Sequence, residues 1–274
     1  MRGKIVKGIG GKYSCYTKNG IIECTAKGKF RNQNIRLVVG DDVEIENDNI
    51  VSIYERKNML KRPLVSNIDT VVFVISLKKP SINLYLVDKY IVYLKSLNID
   101  FVICINKEDL ITDKEKEYVK NYYKATDIKL FFVSVIYDTG FDEFLKFINN
   151  KTILLSGASG VGKSSLINKL MGTELKSGEL SKIERGKHTT RHSELFVSEL
   201  FNIYDTPGFT SFDLDVNKND LSKYYIEYSD RKCKYSSCSH IHEPDCFVKQ
   251  KLEKDDIHKD RYENYKKIYN ELKM

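Results

Sequence analysis

The stretch Thr152-Ile153-Leu154-Leu155-Ser156-Gly157-Ala158-Ser159-Gly160-Val161-Gly162-Lys163-Ser164-Ser165 decides how the chain folds. An apolar run of strand character breaks into a glycine-rich turn, and Leu166 to Leu170 continue with helical spacing. The turn reads G-x-x-x-x-G-K-S, a P-loop. Gly157, Gly160 and Gly162 let the backbone curl, so that the N–H groups of 157–165 point inward at a polyphosphate. The helix that follows adds its positive N-terminal end. In such a loop Lys163 reaches the β- and γ-phosphates, and the Ser164 hydroxyl holds magnesium.

Upstream, Thr70–Ile75 and Phe101–Ile105 are continuously apolar, as strands buried on both faces of a parallel sheet are. Leu84, Val87, Ile91, Leu94 and Leu97 recur at helical spacing between them. A charged helix, a strand at 130–133 and a short helix around Phe141, Phe144 and Ile148 lead into the P-loop strand. This β-α-β-α-β alternation predicts a doubly wound α/β domain, with ligand groups at the carboxyl ends of its strands. One such end carries Asn106-Lys107-Glu108-Asp109, the N-K-x-D pattern that reads guanine. The Asp109 carboxylate accepts from the N1–H and 2-amino groups, which adenine lacks. The Lys107 stem lies along the base and Asn106 ties the loop together. Ser134-Val135, at the next strand end, adds a backbone N–H; the pair is more often Ser-Ala.

Downstream, Gly186-Lys187-His188-Thr189-Thr190-Arg191 reads as a mobile switch whose threonine closes over magnesium, Thr190 first and Thr189 as the alternative. The strand 200–204 then delivers Asp205-Thr206-Pro207-Gly208, a D-x-x-G. Asp205 meets magnesium through water, and the Gly208 N–H senses the γ-phosphate. The next residue, often a glutamine that orients water, is Phe209. His188 is the nearest group able to take that part. N-K-x-D precedes the P-loop here, so the domain is circularly permuted.

The 274 residues carry a net charge of +7 and 41% hydrophobic residues. No stretch has the apolar length of a membrane span and no leader opens the chain, which predicts a cytoplasmic protein. Residues 1–62 hold thirteen Lys/Arg against seven Asp/Glu, a net +6, in short strands separated by glycine turns. Their spacing, with 35–45 taken as a strand, predicts a five-stranded OB barrel. The charge points to a nucleic-acid partner, with Lys27-Gly28-Lys29-Phe30-Arg31 as a candidate binding loop. Arg62-Pro63 marks a boundary. At the other end Cys233, Cys238 and Cys246 with His240 or His242 form a Cys₃His set, whose soft ligands and closed shell suit structural zinc. Leu221, Tyr224 and Tyr228 predict one amphipathic helix beside it, and Tyr262, Tyr265, Tyr269 and Leu272 another.

The chain thus resembles the ribosome small-subunit-dependent GTPase A family (RsgA/YjeQ). The likeness rests on Gly40-Asp41-Asp42-Val43-Glu44, Arg56-Lys57-Asn58-Met59-Leu60-Lys61-Arg62-Pro63, Asn106-Lys107-Glu108-Asp109, the P-loop, Gly186–Thr190 and the cysteine cluster. It implies three domains: a barrel at 1–62, a permuted GTPase domain at 63–216 and a helical zinc domain at 217–274. It also implies His240 as the fourth zinc ligand, and a monomer that binds the small ribosomal subunit and its rRNA late in assembly and hydrolyses GTP to GDP there. The alternative from another class is a nucleotide-gated RNA-binding protein with incidental turnover. The permutation joins the base-reading half to the barrel and runs the D-x-x-G directly into the zinc domain. Both flanking domains are placed to feel the nucleotide state.

Overall fold

Short strands with glycine turns close on themselves at the start of the chain. In a computed structural model the described residues are all but 79, 81, 178–192, 206–213, 230–231 and 274, with the backbone alone at 31 and 173–177. Strands β1 (Arg2–Ile9), β2 (Lys12–Thr17) and β3 (Gly20–Ala26) are followed by a short helix α1 (Lys29–Asn32). Strands β4 (Asp42–Glu46) and β5 (Asn49–Ile53) complete a closed barrel in the order β1-β2-β3-β5-β4. β1 pairs with both β2 and β4, and β3 meets β5 in parallel, the five-stranded closure of an OB-fold.

Two local expectations change. The strand read across 35–45 begins only at Asp42, because Gly40 sits at φ +98° and the Asp41 carboxylate takes the Val38 N–H at 2.9 Å. The side chain thus competes with a sheet partner for that N–H, and the backbone turns. Phe30, in the proposed binding loop, is 5% exposed and belongs to the core, so it offers no stacking face.

A hairpin of β6 (Met59–Lys61) and β7 (Leu64–Ser66) follows, with Arg62-Pro63, a cis peptide, at its tip. The chain then enters the α/β domain through β8 (Thr70–Ile75), α2 (Leu84–Ser96), β9 (Asp100–Asn106), α3 (Asp113–Tyr123), β10 (Lys129–Val133) and α4 (Phe141–Ile148). It continues with β11 (Thr152–Ser156), α5 (Lys163–Ser177), β12 (Glu194–Phe196) and β13 (Asn202–Asp205). The sheet runs β10-β9-β8-β11-β13-β12, parallel except for β12. Thr112 and Glu115 form a capping box that starts α3.

Side-chain alternation assigns the two faces of the sheet. Val72, Val74, Val102, Cys104, Ile153 and Leu155 pack with α4 and α5. Val71, Ile75, Ile103, Leu154, Leu195 and Tyr204 share their core with α2, α3 and the barrel interior. The barrel therefore covers the β12–β13 end of a face whose other end carries helices. Lys7 of β1 reaches Glu194 of β12 at 3.3 Å, and the Tyr204 hydroxyl donates to the Ser66 carbonyl at 2.5 Å.

Beyond β13 the amphipathic segment at 218–228 forms two 3-10 turns, 218–224 and 226–228, instead of one helix. The C-cap residue of the first, Tyr225, is extended at φ −108°, ψ 98°, which interrupts helical hydrogen bonding. Its ring and that of Tyr228 stack, and both meet Tyr265 edge-on. Helices α6 (Phe247–Glu253) and α7 (Lys259–Glu271) complete this part. It docks on the outside of α2 through a buried charge network. Arg261 donates to Asp88 and to Glu227, each at 2.5 Å, with all three residues at most 5% exposed. Asn264 and the Tyr122 hydroxyl also donate to Asp88. Burial pushes the Asp88 carboxyl above its usual range, against the opposing pull of Arg261. Among the described residues no helix is long and apolar enough to cross a membrane.

Candidate functional site

Parallel strands present their carboxyl ends at one edge of a sheet, and this one brings two sequence motifs and the first residue of a third there. β9 ends at Asn106, β11 at Ser156 and β13 at Asp205. The P-loop residues Gly157, Ala158, Ser159, Gly160, Val161 and Gly162 connect β11 to α5, whose first turn carries Lys163, Ser164 and Ser165. Lys163 donates to the carbonyls of Gly157 and Ala158, both at 2.7 Å, and burial holds its pKa below the usual lysine range. Ser164 and Ser165 are exposed at the helix start.

The N-K-x-D loop is bonded directly to the P-loop. Asn106, 3% exposed, donates its amide to the Val161 carbonyl at 3.0 Å. Its Oδ1 is buried with no partner among the described residues. The amide fits because residue 162 is glycine: at φ +97° any Cβ there would collide with Asn106 Nδ2. Lys107, in the left-handed region at φ +63°, reaches the Gly160 carbonyl at 2.9 Å. The motif gave no signal for this bond. The Ser134 hydroxyl donates to Asp109 Oδ1 at 2.5 Å and accepts from the Tyr137 N–H at 3.3 Å. Asp109 is exposed, and a carboxylate offers about four acceptor positions, so one serine leaves room for two more donors. Val135 is half-buried against the α4–α5 core. His188, Thr189, Thr190, Gly208 and Phe209 lie outside the described residues.

At the far end of the chain Cys233, Cys238, His240 and Cys246 converge, with ligand atoms all within 4.8 Å of one another. His240 Nδ1 lies 3.6 Å from Cys233 Sγ and 3.4 Å from Cys246 Sγ, and the two sulfurs are 4.0 Å apart. Ligands on a tetrahedral zinc stand roughly 3.5–3.8 Å from one another, from bond lengths of about 2.3 Å to sulfur and 2.0–2.1 Å to nitrogen. The cluster therefore fits a tetrahedral ion of that size. His242 is exposed and outside it. Burial raises the Cys238 thiol and lowers the His240 imidazole, so a metal binding here would have to displace the thiol protons. The loop is held from outside: Tyr262 donates to the His240 carbonyl at 2.7 Å, Tyr265 to the Ser239 carbonyl at 2.8 Å, and Glu243 accepts from the Ser239 N–H at 2.8 Å. The tyrosine stripe of α7 was the sequence signal for these contacts. Glu243 gave none.

Comparison with known proteins agrees with this arrangement. The RsgA GTPase family model matches residues 53–215, and the RsgA N-terminal domain model matches 2–51. The chain belongs to the RsgA GTPase family. It is 40% identical over 284 residues to the small ribosomal subunit biogenesis GTPase RsgA of Clostridium beijerinckii, covering 99% of this chain and 97% of that one. The corresponding RsgA of Clostridium perfringens strain 13 is 41% identical over 281 residues, covering 99% and 98%. Among solved structures, YjeQ from Thermotoga maritima superimposes with a TM-score of 0.84 at 32% identity, covering 99% of this chain and 98% of its own. YloQ, a circularly permuted GTPase, gives 0.80 at 31% identity, covering 98% and 94%. Like YloQ, the chain is a circularly permuted GTPase. Its sheet has the P-loop strand at the centre even though that strand is the fourth to enter.

Proposed function

We propose that this GTPase acts on the small ribosomal subunit, binding its rRNA through the basic barrel and hydrolysing GTP to GDP during late assembly. The observation that carries the guanine reading is the pair of bonds from Asn106 to Val161 and from Lys107 to Gly160. They fix the base-reading loop against the phosphate loop, so one ligand must satisfy both. Asp109 accepts from the guanine edge, Ser134 orients that carboxylate, and Val135 contributes its N–H. Residues 157–165 cradle the phosphates with Lys163 at the β- and γ-positions. Ser164 and Thr190 hold magnesium, which neutralises charge on the phosphates when bound. Asp205 assists through water, Gly208 senses the γ-phosphate and His188 orients the attacking water. Zinc on Cys233, Cys238, His240 and Cys246 is structural, because four protein ligands leave no open position. The division into 1–62, 63–216 and 217–274, a monomeric state and a cytoplasmic location belong to the same reading.

Single-turnover and steady-state hydrolysis, with and without purified small subunits, test it. Strong stimulation by subunits supports the proposal, and His188→Ala is expected to keep GTP binding while losing the stimulation. Hydrolysis that subunits leave unchanged favours a nucleotide-gated RNA-binding protein instead.

A further inference from the structure

Asp205 ends β13, and the residue before it points the other way, into the barrel side of the sheet. That residue, Tyr204, is 0% exposed, and its hydroxyl donates to the Ser66 carbonyl at 2.5 Å. The socket is built from the barrel and the β6–β7 hairpin that follows it. Gly40 stands at φ +98°, and a Cβ there would fall on the Tyr204 hydroxyl and the Ser66 carbonyl, so only glycine leaves room for the phenol. The Ser66 N–H donates to the Val39 carbonyl at 3.1 Å, and its hydroxyl donates to Asp41 Oδ1 at 2.7 Å. Asp41, 0% exposed, is clamped in turn by Arg56 through bonds of 2.7 and 2.8 Å. A second link lies beside the first: Lys7 pairs with Glu194, the residue opposite Asp205 in the β12–β13 register.

We propose that Tyr204 is a positioning residue: its hydroxyl, seated in the Gly40–Ser66 socket, sets where β13 places Asp205 and so links the barrel to the magnesium side of the site. Gross packing needs only the ring. The hydroxyl sits in a place where the barrel surrenders a side chain and fixes the acceptor on both its N–H and its Oγ. A shift of the barrel segment 38–41 moves Ser66, and Ser66 holds the strand one residue from the carboxylate. The inference rests on the reading of Asp205 as the magnesium-side carboxylate.

The test is the magnesium dependence of GTP hydrolysis by the full chain in the parent, Tyr204→Phe, Gly40→Ala and Asp205→Asn, with thermal melts and GTP affinity measured alongside. Tyr204→Phe keeps the ring and removes one buried donor, so kcat should fall about tenfold and the half-saturating magnesium concentration should rise, while GTP affinity stays within about twofold. Gly40→Ala, from the other side of the socket, should give the same pattern. If it does not fold, Ser66→Ala, which frees the acceptor from Asp41, takes its place. Variants that melt lower yet keep the parent's magnesium dependence and kcat reduce Tyr204 to packing and overturn the proposal. A shift in Tyr204→Phe alone removes the barrel from it. Parent-like magnesium dependence in Asp205→Asn instead overturns the reading of Asp205.

Discussion

The two flanking domains hold the GTPase domain at opposite ends and by different chemistry. The barrel is joined in sequence to β8, next to the strand that ends in N-K-x-D, yet it packs on β12 and β13, the strands that lead to Asp205. The C-terminal part that holds the Cys₃His cluster is joined to β13 yet packs on α2 and α3, which flank the strand ending in N-K-x-D. Each is tied by the backbone to one half and packed against the other. Over a shared apolar core, the barrel junction adds a neutral hydroxyl-to-carbonyl bond beside a partly exposed ion pair. The zinc-domain junction is a dry set of charges around Arg261. A neutral bond can break and re-form as the site changes, whereas a buried ion triad resists any displacement. We therefore read the N-K-x-D side as the anchor and the D-x-x-G side as the sensor, a contrast that the following variants test.

The strongest way to break that contrast is to take apart the Cys₃His cluster beside the anchor. The purified chain should carry one zinc, and His240→Ala should lose it and loosen the tail, because metal binding of this kind contributes on the order of 10 kcal/mol to local folding. Metal analysis and a thermal melt check it. His242→Ala should retain zinc, since that side chain is outside the cluster; the opposite pattern would reverse the ligand assignment.

Next comes the triad. Arg261→Met keeps length but leaves Asp88 and Glu227 as buried carboxylates without their cation, which should cost about 3–5 kcal/mol in urea unfolding. A loss below about 1 kcal/mol would mean that water reaches the junction, and the anchor would lose its distinction from the barrel side.

Asp109→Asn probes the base side directly. It exchanges one acceptor for a donor, so GTP should weaken by about a hundredfold and xanthosine triphosphate should gain. Competition binding decides, and an unchanged preference for GTP would take Asp109 out of base reading. The smallest effect belongs to the barrel's outer link. Lys7→Ala removes a pair whose lysine is 42% exposed, and about 0.2–1 kcal/mol is expected, fading with salt. A larger, salt-independent loss would make the phosphate-side junction an anchor too.

Much of this was legible before any coordinates. The P-loop and N-K-x-D are each recognisable from a few adjacent residues, and apolar runs of strand length mark the sheet that brings them to one edge beside Asp205. The barrel was legible from strand spacing, but not the break at Gly40 and Asp41, where a side chain outbids a sheet partner for one N–H. Nor did periodicity separate a helix from the two 3-10 turns at 218–228. Asp88 and Arg261 meet across 173 positions, which no local pattern records. A signal did exist: Asp88 lies on the apolar stripe of Leu84, Val87 and Ile91, and Arg261 on that of Tyr262 and Tyr265. A charge on a buried stripe demands a partner, although the sequence does not say which.

The Tyr204 socket also sets a schedule. Its barrel half is complete once Ser66 has been made, but the tyrosine that fills it is encoded 138 residues later. At about 5–20 residues per second the ribosome delivers it roughly 7–28 s afterwards. For that interval the nascent barrel lacks the strands its outer face docks on, and only the barrel's own residues can enclose its core. Translation speed between β7 and β13 is then a variable of folding, and slowing it lengthens the exposure of that face.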